Sequence, residues 1–304
     1  MENKHSQSSI AEHMNSLPND WWKAPALHRS WSDWFSKHSC FLHVAFRQNK
    51  ETKHEVYSGF LVFHNDELFW ITAGHVVKEI EMMHEDASVE VCAMSFIDDH
   101  PEGAGCISIH FDRIIYDYLD TDQYDIGAML LRPFYREPLL ANANSLPLES
   151  LVWSGLKNAN PEGYLVVGSP RSWVKIRESE IKSNSCNVRV SVPAVCASVE
   201  KIEDIGKQHE SDSFWGYGDD AFYGTVLDIY DESGNDLEDI RGMSGGPVYS
   251  IERIDGKIKY YLFAVQSCWL DKSRTIRATP IWIIQPLMDE LTKRLYSDDK
   301  PGAM

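Results

Sequence analysis

Basic residues are scarce in this 304-residue chain: 29 Lys and Arg stand against 46 Asp and Glu, a formal net charge of −17. That balance opposes a phosphate-binding surface, so nucleic acid is not an expected partner. No Gly-x-x-x-x-Gly-Lys-Ser/Thr loop and no His-Glu-x-x-His pair occurs, which removes the ATPase and zincin readings. The six cysteines (Cys40, Cys92, Cys106, Cys186, Cys196, Cys268) show no Cys-x-x-Cys spacing and no partnered histidine cluster. Zinc is therefore not expected, nor any other metal or cofactor, and the cysteines read as reduced thiols, several of them in cores. No apolar run reaches membrane-spanning length, and none follows Met1-Glu-Asn-Lys-His-Ser. The expectation is a cytoplasmic chain with neither secretion signal nor membrane contact. Internal repeats and low-complexity tracts are also lacking. One further absence bears on mechanism: all twelve histidines precede Ser244, and none follows it.

What is present centres on Gly-Met-Ser-Gly-Gly-Pro at 242–247. Glycines flanking a serine let the backbone approach a substrate closely and take torsions other residues resist. Backbone N–H groups on such a turn can converge on a developing oxyanion. A Gly-x-Ser-x-Gly nucleophile elbow would need its histidine downstream, and there is none. The upstream candidate is His75, delivered by the apolar run Leu68-Phe69-Trp70-Ile71 through a small Thr-Ala-Gly turn. Asp125 heads another apolar run, Ile126–Leu131. A carboxylate there needs a partner, because an unpaired buried charge is expensive. His75 would satisfy it, and the pairing would fix the imidazole tautomer. Each residue alone has a plainer reading, as core histidine, strand cap or turn serine.

Thr-Ala-Gly-His (72–75), Asp-Ile-Gly-Ala-Met-Leu-Leu (125–131) and Gly-Met-Ser-Gly-Gly-Pro resemble, in that order, the three signatures of chymotrypsin/trypsin-like serine proteases. The resemblance spans roughly residues 40–296, although only the three motifs are specific. It implies Ser244 as nucleophile, His75 as general base and acid, Asp125 as orienting acid, and an oxyanion hole from the N–H groups of Gly242 and Ser244. It implies a protein or peptide substrate, with a regulatory protein partner as a further expectation. Glu238, six residues before the serine, would lie at the base of the pocket for the residue preceding the cleaved bond. There it would select Arg or Lys; alternatively it faces water on a loop of different length. Ser267, Cys268 and Trp269 resemble the segment that pairs with substrate backbone. Leu270 replaces the glycine familiar after the tryptophan and would narrow the pocket. Met243 stands where zymogen-type relatives carry an aspartate, and no Ile/Val-Val-Gly-Gly segment occurs. Both departures fit the non-zymogen, intracellular bacterial or viral-type branch. Resemblance to standalone microbial members suggests an effector in stress or antiphage defence. The competing class is a protease-fold binding module or scaffold that recognises a peptide or partner without cutting it.

The fold expected is all-β: two six-stranded antiparallel β-barrels with an N-terminal extension and a C-terminal helix. The boundaries are 1–38 for a polar, then aromatic-rich extension with a short helix over 29–37 capped by Ser30 or Ser32. Residues 39–132 form the first barrel, 133–160 a proline-bearing connection, 161–280 the second barrel, and 281–304 the helix and tail. Residues 200–222 read as an exposed loop.

Overall fold

The computed structural model describes residues 21–23, 25–97, 107–142, 145–149, 161–179, 187–203, 220–227, 229, 239–254 and 257–298. The fold is mostly β, closed by a C-terminal helix. In the first half, β1 (Phe41–Gln48), β2 (Glu51–Tyr57), β5 (Val89–Ile97) and β6 (Ile107–Ile109) form one four-stranded sheet in the order β2-β1-β5-β6. A second four-stranded sheet takes the order β3-β4-β8-β7, from β3 (Phe60–His64), β4 (Glu67–Thr72), β7 (Ile115–Asp120) and β8 (Asp125–Leu131). Of the two six-stranded barrels expected, the described residues show one closed barrel in the second half and two open sheets in this one. Two broken corners account for the open sheets. Strand 51–64 is interrupted at Ser58-Gly59, and strand 107–120 is broken by a 3-10 turn at Phe111–Arg113. Each of these chain segments leaves one sheet and enters the other, as corner strands do in orthogonal packing.

The second half is one closed six-stranded barrel, β12-β13-β16-β15-β14-β9. Its strands are β9 (Gly163–Gly168), β12 (Val195–Lys201), β13 (Phe222–Val226), β14 (Pro247–Ile254), β15 (Lys257–Leu270) and β16 (Thr275–Pro280). A separate hairpin joins β10 (Lys175–Ser179) to β11 (Asn187–Ser191).

Strand periodicity explains the continuous apolar runs. In β4, Leu68 and Trp70 enter the first-half core, while Phe69 and Ile71 enter a core shared with the second half. In β8, Met129 and Leu131 take the first core, and Ile126, Ala128 and Leu130 the shared one. Both strands are buried on both faces, so alternation of polarity disappears. The shared core also takes Trp21, Trp22, Trp31 and Phe35 from the N-terminal segment, with the Phe35 ring 4.6 Å from Tyr249.

Four α-helices are described. Helix α1 spans Pro25–Phe35, earlier than the expected 29–37, because Pro25 tolerates the first turn, where its missing N–H has no helical partner. Helix α2 (Gly74–Glu85) directly follows β4. Helix α3 (Pro133–Asn142) occupies part of the expected connection despite Pro138 in its interior. Helix α4 (Ile284–Asp298) packs back against β7 and β8 of the first half through Ile284, Met288, Leu291 and Leu295. No helix among the described residues is long and apolar enough to cross a membrane.

Candidate active site

Antiparallel pairing of β4 with β8 sets Thr72 opposite Gly127, so the end of one strand lies beside the start of the other. His75 then sits in the first turn of α2, next to Asp125. Asp125 accepts twice from that one residue: Oδ2 lies 2.7 Å from His75 Nδ1, and Oδ1 accepts the His75 backbone N–H at 2.8 Å. The backbone bond fixes the carboxylate plane, and the imidazole bond holds the Nδ1–H tautomer. Asp125 is buried, and its own N–H donates to Thr279 Oγ1 of β16 at 3.0 Å, while that hydroxyl donates to Asp125 O at 3.1 Å. Thr279 thus ties the carboxylate's backbone to the second barrel.

Burial pushes the His75 pKa down, but the hydrogen bond and charge of Asp125, aided by Asp120 and Glu79, outweigh it, so the net shift is upward from 6.5. The imidazolium is the better-stabilised form at this position.

The serine turn is built on two left-handed glycines, Gly242 (φ 98°) and Gly245 (φ 92°). A Cβ on Gly245 would overlap Thr72 Oγ1 and Ser58 O, so the turn also needs glycine for close approach to the first half. Ser58 Oγ donates to Gly242 O at 2.8 Å, a further clamp between halves. Gly245 N–H donates to Gln266 O at 2.7 Å and Gln266 N–H to Gly246 O at 2.9 Å, which extends the β14–β15 ladder through the turn. Among the described residues, no acceptor takes the N–H of Gly242 or Ser244.

Ser244 Oγ donates to Ser267 O at 3.5 Å, and no hydrogen bond among the described residues joins it to His75. Ser267 is the bulged residue of β15: Gln266 faces Ala278, and Cys268 faces Arg277. The bulge turns the Ser267 carbonyl toward the serine turn, the kind of re-aiming that bulges perform next to sites.

A cleft of about 650 Å³ contains His75, Asp125, Gly242, Ser244, Ser267, Cys268 and Trp269 together. All the site residues expected from the sequence except Glu238 therefore face one space; Glu238 lies outside the described residues. Residues not anticipated also shape it. Asp120, Asp122 and Arg241 line the rim, with Arg241 paired to Asp271 at 2.8 Å. Buried Arg277 donates to the carbonyls of Asp122 and Gln123, holding the β7–β8 turn over the cleft. No sequence motif marks Thr279 or Arg277, since both are single positions in an apolar strand. Burial pushes the Cys268 thiol up to about 11 against the lowering effect of the Trp269 N–H, with Asp125 raising it further and Arg277 opposing. Cys92, Cys196 and Cys268 are free thiols. Among the described residues, no group of three or more His, Cys, Asp or Glu side chains is arranged to hold a metal ion.

No protein-family model matches the chain, and no curated protein matches it. Among solved structures it is similar to the protease Anisep from Arthrobacter nicotinovorans, at 16% identity over 84% of this chain and 96% of that one, TM-score 0.45. It is also similar to a thermostable serine protease, AL20, from an extremophilic microorganism, at 13% identity over 86% and 99%, TM-score 0.44. A catalytically inactive tobacco etch virus protease complexed with substrate is similar at 12% identity over 86% and 84%, TM-score 0.40.

Proposed function

We propose that the protein is a serine endopeptidase of the trypsin-like kind, acting on a protein or peptide substrate through Ser244, His75 and Asp125. The observation that carries this reading is the double bond of Asp125 to His75, opening on a cleft that also holds a serine on a left-handed glycine turn. Ser244 Oγ attacks the scissile carbonyl while neutral His75 Nε2 takes its proton. The imidazolium, stabilised by Asp125, then donates that proton to the leaving amine. The N–H groups of Gly242 and Ser244 hold the oxyanion, and water resolves the acyl-enzyme. Ser267, Cys268 and Trp269 contact the substrate backbone.

The two open sheets of the first half act as a distorted six-stranded barrel opposite the closed one. The domain boundaries set out from the sequence belong to the same proposal, as do a cytoplasmic, non-zymogen branch, a regulatory partner and a role in stress or antiphage defence.

A second reading starts from one observation. Among the described residues the Ser244 hydroxyl bonds to Ser267 O and not to His75, a resting arrangement that a binding module or partner-gated enzyme would share. Fluorophosphonate labelling separates the two. Ser244 of the intact chain is expected to react, and Ser244→Ala to abolish both labelling and cleavage while the fold stays intact. Proteolysis that survives Ser244→Ala in a clean preparation would sink the endopeptidase reading.

A further inference from the structure

Away from the cleft, at the opposite end of β7 and β8, lies a cavity of about 590 Å³. Pairing of Ile115 with Leu130 brings the 3-10 turn before β7 beside the chain leaving β8. Arg113 ends that turn, and Arg132 follows β8 directly, so two guanidiniums line one space. Neither makes an ion pair or side-chain hydrogen bond among the described residues, where the buried Arg132 Nε also has no partner. Acids outnumber bases 46 to 29 in the sequence. Most other described arginines have carboxylates: Arg47, Arg136, Arg171, Arg241, Arg253 and Arg294 are all paired. Two arginines left unpaired among the described residues in one cavity run against that background, and an anion bound there would give their guanidinium N–H groups charge-assisted partners.

The rest of the lining narrows the anion. The Phe134 ring is 72% exposed beside the cavity, with Tyr116 and Tyr135 as further aromatic wall. An exposed flat ring next to guanidiniums suits a ligand with its own planar ring. Asp112 lines the same space and accepts from hydroxyl or amino groups, not from an anion. The volume falls within the range of small-ligand sites, roughly 300–1,000 Å³.

We infer that this cavity binds a small organic phosphate of the nucleoside monophosphate class. The phosphate sits on Arg113 and Arg132, the planar base lies against Phe134, and a sugar hydroxyl or base amino group faces Asp112. The site is independent of the protease reading and stands or falls separately from it.

Isothermal titration of the full chain with AMP, adenosine and inorganic phosphate tests the inference. AMP is expected to bind one-to-one with a Kd below about 1 mM, and more tightly than either part alone. Arg132→Gln and Arg113→Gln should each weaken AMP binding at least about tenfold. Arg113 is exposed, so its variant remains informative even if Arg132→Gln fails to fold. Fluorophosphonate labelling of Ser244 should be unchanged in Arg113→Gln. Three results overturn the inference: no saturation by AMP at about 10 mM, AMP affinity unchanged in Arg113→Gln, or phosphate binding as tightly as AMP.

Discussion

Asp125→Asn is the most revealing single change, because Asp125 uses both oxygens on one residue. The His75 backbone N–H is a fixed donor at 2.8 Å, and it will claim the one amide oxygen that asparagine offers. The amide NH2 must then face His75 Nδ1, which is 2.7 Å away in the unmodified protein. Two donors cannot meet there, so Nδ1 becomes an acceptor and the proton moves to Nε2. An imidazole protonated at Nε2 cannot take the serine proton. The expected loss in turnover is about 10⁴-fold, which corresponds to about 5.5 kcal/mol of barrier. The His75 pKa should fall as well, since burial remains as its dominant influence once the carboxylate charge is gone. Fluorophosphonate inactivation rates measure the first effect, and imidazole NMR titration measures the second. The pH signs are distinct. With its pKa raised by folding, protonated His75 stabilises the fold fully below about pH 6.5, and that contribution fades as pH rises through the folded value. The proposed mechanism needs the neutral base, so activity is expected to climb over the interval in which this stabilisation is lost. Labelling within about tenfold of the unmodified rate, or a His75 pKa that fails to drop, would refute the mechanism.

Other perturbations test the scaffold. Gly245→Ala meets both a left-handed φ of 92° and the overlap with Thr72 and Ser58, and should cost at least about 2 kcal/mol in urea unfolding; a change under about 0.5 kcal/mol would show that the turn relaxes freely. Thr279→Val leaves the buried Asp125 N–H without its acceptor and should destabilise by about 1–3 kcal/mol, with a matching drop in labelling rate. A rate left unchanged would mean Asp125 needs no anchor from the second barrel. With its thiol pushed up to about 11 by burial, Cys268 should react with iodoacetamide at pH 7.5 at least about tenfold slower than exposed Cys92. Mass spectrometry of tryptic peptides reads the difference, and equal labelling would contradict the burial argument.

The residues that meet in the cleft are legible in the sequence because each sits in a short local pattern. A buried strand ending in a small turn delivers His75, a carboxylate at a strand head needs a partner, and a Gly-Ser-Gly turn is conspicuous by composition. The parts that hold these residues in place were not legible, since they depend on contacts distant in sequence. Thr279 is one threonine in an apolar strand, and its role exists only because β16 passes Asp125. The bulge at Ser267 appears only once β15 is set in register with β16. Helix α2 is hidden because the apolar run and small turn before His75 dominate the local pattern, while apolar Val76, Val77 and Ile80 carry a helical face into the first core. Helix α3 was hidden by Pro138, whose usual helix-breaking effect is overridden in place. The break at Ser58-Gly59 interrupts segment 51–64 and turns it from one sheet into the other, a change that only the pairing of its two halves reveals.

The Ser244 hydroxyl now bears on what distinguishes an enzyme from a binding module. Its bond to Ser267 O is 3.5 Å long, at the weak limit of such interactions. Releasing it and rotating the side chain to another staggered position would cost no more than about 1 kcal/mol. That is roughly a fivefold effect on rate, far too small to silence an enzyme. The turn itself has little freedom, because Gly245 is wedged against Thr72 and Ser58, and Gly242 O is held by Ser58 Oγ. The resting serine rotamer therefore cannot by itself account for latency. If Ser244 resists the probe, the block must lie in access to the cleft or in a displaced His75, and the NMR titration of His75 would distinguish them. A raised pKa with no labelling would point to occlusion, and an ordinary or lowered pKa to a broken His75–Asp125 pair.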